Sequence, residues 1–354
     1  MKLALALLAA LAVAAPAEAT AAEGELELQL EAGAGADSNP FRTLDGGGAV
    51  GGFGLVLLRA RADVLGERLR FQAALDEGAR LYPAPATAEA SAFASRLEAS
   101  LRLALGAGLA AEAILSARDL TELGGALDQD ALRTEASLAW ARGSVGTALA
   151  GGFNLFAPRE ATLRPFLAAG PEAGLRAWWS PRPEHFFSAS GSVWWASYPR
   201  WGELAPGGRR DTTSTFSAEY AWRGDFLAAL GYAFSHDASS AEGGDHDRHR
   251  LTARGAVLLP LELTLAFRAA LQWSSYPQPL FLSEQLLLAA GQENQDALEL
   301  RLTRPLGADL ELALAAALYR AEAVRGGGPA PDYTRGVLST TLVWHAGRFT
   351  SGRE

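Results

Sequence analysis

The stretch LELTLAFRAALQWSS, from Leu261 to Ser275, alternates without interruption. Leu261, Leu263, Leu265, Phe267, Ala269, Leu271 and Trp273 fall on one side, and Glu262, Thr264, Ala266, Arg268, Ala270, Gln272 and Ser274 on the other. Successive side chains of a strand leave opposite faces, so this spacing predicts a strand with one apolar face and one polar or small face. An ordinary globular strand has about 5–6 residues, whereas crossing a bilayer at a tilt takes about 9–11. The stretch has the second length.

The pattern recurs along the chain. Leu26, Leu28 and Leu30 alternate with Glu25, Glu27, Gln29 and Glu31; Leu69, Phe71, Ala73 and Leu75 alternate with Arg70, Gln72, Ala74 and Asp76. Leu97, Leu101, Leu103 and Leu105 oppose Arg96, Glu98, Ser100 and Arg102, and Leu298, Leu300 and Leu302 oppose Glu299, Arg301 and Thr303. Leu310–Ala321 is rich in the helix formers Ala and Leu, but its leucines at spacing two read as strand.

Connections order these strands. Tight turns are expected near 65–68, 106–108, 142–144, 180–184, 223–225, 260 and 305–308. Longer polar loops are expected at 37–49, 83–91, 120–130, 157–162, 199–210, 237–247, 276–295 and 322–332. Short and long connections alternate, as they do in outer-membrane barrels with short periplasmic turns and long extracellular loops. The fold class is therefore all-β, a closed antiparallel transmembrane barrel of about 16 strands (14–18). Closure satisfies every backbone hydrogen bond, as lipid requires.

Rings give a separate indication. Trp140, Trp179, Trp222 and Trp344 fall at strand ends beside short turns or the C-terminus, and Tyr82, Tyr198, Trp273 and Tyr319 beside long loops, together with Phe156, Phe234 and Tyr276. Amphipathic rings favour the headgroup level, so both sets are expected to face lipid as two girdles.

The chain begins with Met1-Lys2, an apolar run from Leu3 to Ala15 and the small-residue triplet Ala17-Glu18-Ala19. This is the pattern of a cleaved secretory signal peptide, expected over residues 1–22, with the barrel over 23–354. The run is too short for a membrane helix, which needs about 20 residues. Export places the product in the outer membrane of a Gram-negative bacterium. No cysteine is present, which excludes a thioether lipid anchor, disulfides and thiolate metal sites. A formal net charge of −9 argues against nucleic acid as a partner. Apart from Lys2 every Lys/Arg position is arginine, which points to a GC-rich genome and not to guanidinium chemistry.

The inner wall is expected to carry Arg59, Arg61, Arg70, Asp76, Arg102, Arg118, Glu135, Arg176, Glu219, Arg254, Arg268, Glu299 and Arg301, with Glu25, Glu27, Glu98, Glu112 and Glu311 beside them. Opposed charges hold water and set up a transverse field that favours small polar solutes; they also pair across strands and stabilise the wall. The loop 276–295 holds Leu280–Leu282 and Leu286–Leu288. Either it folds inward as a constriction or it packs on neighbouring loops and oligomer contacts. His236, His246 and His249 lie near Asp237, Asp245 and Asp247, a weak divalent-metal candidate whose spacing fits no specific motif. A solvated loop is the preferred reading there. No cofactor is implied. His345 has no serine or carboxylate fixed beside it by spacing, so no hydrolase dyad and no enzyme activity is inferred.

The first strand ends in Gly33-Ala34-Gly35-Ala36-Asp37-Ser38-Asn39-Pro40-Phe41-Arg42. This resembles the G-x-D-S-N-P-F start of a broad set of bacterial outer-membrane β-barrel, porin-like proteins, some of which look like partners in exopolysaccharide export. The match covers about ten residues. Read locally, Asp37, Ser38 and Asn39 before Pro40 form an Asx-type turn. The C-terminus departs from the family's final aromatic residue, since Phe349 precedes Thr350–Glu354.

Three functions are open to the sequence, the third being an enzyme or adhesin that uses the barrel only as a scaffold. The first is a porin-like channel for passive passage of small polar solutes. The second is an export or assembly barrel for an exopolysaccharide or another polymer with a periplasmic partner. The partners implied are outer-membrane lipid, the barrel-assembly machinery, and the solutes or polymer; a homo-oligomer is compatible with either function.

Overall fold

The computed structural model describes residues 23–40, 50–124, 128–204, 206–241, 245–275, 294–322 and 332–351. The strands are β1 (Glu23–Asp37), β2 (Gly51–Leu65), β3 (Leu69–Leu81), β4 (Ala92–Gly106), β5 (Leu109–Glu122), β6 (Gln129–Arg142), β7 (Val145–Pro158) and β8 (Ala168–Arg182). They continue as β9 (His185–Tyr198), β10 (Arg209–Arg223), β11 (Phe226–Ser239), β12 (His246–Leu259), β13 (Leu263–Ser275), β14 (Asn294–Pro305), β15 (Leu310–Glu322) and β16 (Asp332–Ser351). Each pairs antiparallel with its neighbours in sequence, and β1 pairs with β16, so the sheet closes as a ring of 16 strands. Among the described strands each has a neighbour on both sides, so edge backbone groups find their partners in the ring. The segment 310–322 is strand, as its spacing implied.

The register sorts the side chains. Leu26, Leu30, Leu58, Leu101, Leu138, Leu149, Leu175, Leu230, Leu271, Leu300, Leu314 and Leu338 share the outer face and are all exposed. The aliphatics and small residues of the inner face are often buried, as at Ala110, Ala148, Ala313 and Val343. The apolar side of each strand therefore faces outward, the inverse of a soluble core.

One end of the ring carries the tight turns 66–68, 107–108, 143–144, 183–184, 224–225, 260–262 and 306–309. At two of them the backbone is left-handed at residues other than glycine: Ala107, between Gly106 and Gly108, and the pair Leu261 and Glu262. Leu261 and Glu262 thus belong to the turn and not to the strand, which begins at Leu263. Two successive positive φ values give the backbone twist that joins antiparallel strands tightly, and Leu259 pairs with Leu263 across it. At the other end the strands reach further than their polarity suggested. The connection expected at 237–247 is reduced to 240–245, because Asp237 pairs with His246 and His236 with Asp247 in the ladder. The segments 276–293 and 323–331, and the signal region 1–22, lie outside the described residues.

Closure demands close approach at the seam. A Cβ on Gly35 would stand 2.3 Å from the Leu338 carbonyl oxygen and 2.4 Å from the Phe53 ring. The inner wall there has no spare volume, and overpacking such a site costs about 1–3 kcal/mol. Gly35→Val is therefore expected to lower the urea midpoint of the refolded protein. Gly52→Ala, whose Cβ meets nothing nearer than 3.9 Å, serves as the neutral comparison, and equal midpoints for the two variants contradict this account.

Candidate functional site

The inner face of the ring is the candidate site. Arg59, Arg61, Arg70, Asp76, Arg102, Arg118, Glu135, Arg176, Glu219, Arg254, Arg268, Glu299 and Arg301 all take inner-face register positions. Glu25, Glu27, Glu98, Glu112 and Glu311 do too. Small residues on this face let long side chains lie flat along the wall. Trp178 covers Gly146, where a Cβ would stand 2.1 Å from the indole. Arg301 on β14 crosses two strands to reach Glu31 on β1 at 3.0 Å.

Much of the charge is paired, as the stabilising reading supposed. Glu31 is buried and accepts hydrogen bonds from Arg301 Nη1 and, at 2.7 Å, from Thr341 Oγ1; Arg59 stands 3.8 Å away. Arg59 also lies 3.6 Å from Asp76. Glu135 takes Arg133 at 2.8 Å and also Arg176, while Glu172 accepts from Asn154 Nδ2 at 2.8 Å. Arg254 donates to both oxygens of Glu219 at 2.8 and 3.0 Å, and Tyr319 donates to Glu299 at 3.1 Å.

The charge is also segregated. The inner face of β1 carries Glu25, Glu27, Glu31 and Asp37 and no base. The inner faces of β12 and β13 carry Arg248, Arg250, Arg254 and Arg268 and no carboxylate. A cavity of 680 Å³ over β1–β5 is lined by Glu25, Glu27, Asp63, Glu98 and Glu112 with Arg61. A second, of 430 Å³, is lined by Arg102, Arg176 and Arg250, by the hydroxyls Ser137, Ser188, Ser190, Ser217 and Thr252, and by Trp178 and Phe186.

The aromatic expectations divide. Trp140, Trp179, Trp222 and Trp344 take outer-face positions near the tight turns. Trp179, Phe187, Tyr220, His185, Trp222 and Phe226 meet ring to ring across β8–β11, at centroid distances of 4.8–6.3 Å. Trp273 and Phe234 also lie outward, with His249 between them. Tyr82, Tyr198 and Tyr319 do not face outward, and neither does Phe156. Tyr198 shares the inner face with Arg209, whose guanidinium lies 4.4 Å from its ring and 4.7 Å from that of Trp201. Tyr319 pairs with Arg335. Tyr82 is buried, with its hydroxyl on Asp37. Position beside a long loop did not settle the face; residue parity did, and each of these hydroxyls has a polar partner or charged neighbour on the inner wall.

The three histidines do not converge. His246 points inward, 2.9 Å from Asp237, whereas His236 points outward to Asp247 at 2.8 Å and His249 outward to the Tyr232 hydroxyl at 2.8 Å. They occupy paired strands and not a loop, so the weak metal candidate is withdrawn. Glu311 Oε1 does stand 3.3 Å from His345 Nε2, a neighbour that spacing had not indicated.

The turn after β1 holds the residue that sequence reasoning undervalued. The Asn39 N–H donates to Asp37 Oδ1 at 3.0 Å, the Asx geometry that the local reading supposes. Asp37 is also wholly buried, and it accepts from Tyr82 Oη at 2.6 Å and from Arg335 Nε at 3.0 and 2.9 Å. Arg335 lies on β16, so this group bridges the seam. Beside it the Phe53 ring meets Tyr82 in a tilted contact at 5.7 Å, and the Arg80 guanidinium lies over the Phe53 ring at 4.8 Å. A second buried cluster forms opposite, where the connection after β7 folds as a 3-10 helix over Ala161–Phe166 and packs Phe166 edge-on to Trp201 at 5.6 Å. Beside it Arg209 donates to both oxygens of Asp211.

No family model and no curated protein matches the chain. Among solved structures it is similar to a bacterial polysaccharide outer membrane secretin, at 8% identity over 91% of this chain and 97% of that one, with a TM-score of 0.44. It is similar to Pseudomonas aeruginosa OprD at 12% identity, over 92% and 95%, with a TM-score of 0.44. It is also similar to Acinetobacter baumannii OccAB3 at 9%, over 92% and 99%, with a TM-score of 0.47. Identities of this size leave the barrel's function to its own residues.

The Asp37 group yields a test. Removing one partner of a buried ion pair costs about 3–5 kcal/mol, because it strands the other charge. Asp37→Ala is expected to lose that much in urea unfolding of the detergent-refolded barrel, and the double variant Asp37→Ala/Arg335→Met to recover part of it. Strictly additive losses would show that the pair is not coupled.

Proposed function

We propose that this chain is an outer-membrane, porin-like channel for passive passage of small polar solutes, exported by a signal peptide over residues 1–22. The observation that carries the reading is the inversion of the ring: leucines on its outer face, and charge, hydroxyls and cavities within. An exposed leucine wall is costly in water and favourable in lipid. A barrel of 16 to 18 strands is wide enough for an aqueous channel. The outward tryptophans near the tight turns fit a headgroup-level girdle on the periplasmic side, with the longer connections outside the cell. Lipid and small polar solutes are then the immediate partners, and the barrel-assembly machinery inserts the chain.

Purified protein in a planar bilayer is expected to give stable unitary conductance, and liposomes carrying it to swell in arabinose. A protein recovered folded from the soluble periplasmic fraction without detergent overturns the reading.

The wall itself is testable by charge placement. Arginine on the lipid face of a barrel costs about 2–4 kcal/mol near the midplane. Leu175→Arg, on the outer face of β8, is expected to lose that much in bilayer-refolded protein. Ser192→Lys, on the inner face of β9, is expected to stay within about 0.5 kcal/mol. The reverse order would mean that the faces are misassigned.

A further inference from the structure

Three pairs of arginines stand directly opposite one another on the inner face: Arg70 with Arg102, Arg96 with Arg118, and Arg254 with Arg268. Directly opposed like charges destabilise a sheet. In each pair one member is held by a carboxylate, Arg70 by Asp63, Arg96 by Glu98 and Arg254 by Glu219. The other member has no carboxylate within ion-pair distance among the described residues, although Arg102 stands opposite Glu112 and Arg268 opposite Glu299 in the ladder.

Arg250 adds a fourth unpaired guanidinium. It lies on the inner face of β12 opposite Gln272 and Ala233, exposed, with no carboxylate partner among the described residues. Arg248 stands two residues away on the same face, and Arg268 lies on the facing strand β13, opposite Glu299 of β14. It lines the 430 Å³ cavity together with Ser190, Ser217 and Thr252. Glu219 and Glu112 also line this cavity, but Glu219 is engaged by Arg254.

An unpaired guanidinium in a water-filled lumen presents a fork of donors that matches a carboxylate. Hydroxyls at the next wall positions accept and donate to the hydroxyls of a solute. We propose that Arg250, with Arg268 beside it and the Ser190, Ser217 and Thr252 hydroxyls, binds small hydroxylated carboxylates and makes the channel prefer anions. This rests on the channel reading and names its solute class. The opposed arginines that weaken the sheet are then retained for the potential they create in the lumen.

The test uses the full-length barrel with Arg250→Gln/Arg268→Gln, its folding checked by heat-dependent gel mobility. Under a KCl gradient the wild type is expected to show an anion-selective reversal potential. Neutralising the two charges is expected to lower the anion-to-cation permeability ratio by about fivefold, the order set by a contact unit charge in water. Arg250→Lys should keep the selectivity but weaken the binding of gluconate, measured by titration calorimetry on the detergent-solubilised protein, because it loses the planar fork. Cation preference in the wild type, or an unchanged ratio in the double variant, overturns the proposal while leaving a channel in place. The gluconate titration needs no conductance. If the barrel proves closed, binding that the double variant abolishes supports the site, and absence of binding overturns it.

Discussion

Ring closure is the constraint on which the rest depends. The backbone polar groups on the facing edges of β1 and β16 find partners only because these two strands meet, since β2 and β15 occupy their other edges. Closure in turn frees the leucines of any packing duty inside. A flat sheet with this alternation would bury its apolar side against a second layer. The ring turns that side outward and encloses the charge, which makes the arrangement stable in lipid and costly elsewhere.

Enclosure changes what the charged residues must do. Carboxylates such as Glu31 and Glu135 sit close to the wall and gather two or three donors each, so they act as struts between strands. The arginines of β12 and β13 lack such acids on their own faces. Glu31 and Asp37 of β1 are thus met by arginines from other strands, whereas on β12 and β13 Arg254 is held by Glu219 and Arg250 has no carboxylate within ion-pair distance among the described residues.

That difference explains what could be read in advance. Period-two spacing and the rhythm of short and long connections were enough for about sixteen strands and their order, because both signals are local; which face turns inward rested on the export signal, the strand length and the aromatic ends. Partner choice is not local. Asp37 reads as a turn former, and its bond to Arg335 depends on two strands distant in the chain becoming adjacent. The position of Tyr82, Tyr198 and Tyr319 beside loops suggests an outward face, whereas parity puts Tyr198 with Trp194 and Ala196 on the inner side. Arg248 and Arg250 share the parity of Arg254 and follow the loop boundary at 247, so alternation alone is enough to place them on the inner wall. The histidines are near one another in sequence, but the odd spacing of His246 and His249 puts them on opposite faces of β12, and His236 lies on the neighbouring strand.

The Asp37–Arg335 bridge joins residues separated by 298 positions. A contact of such high order cannot guide the early stages of folding, since the entropy of closing so large a loop must be met before the contact returns anything. Until the final strand arrives, the growing sheet has two unsatisfied borders able to recruit sibling chains. The bridge therefore works as a latch that engages last, and the interval before it engages is when this protein most needs an escort.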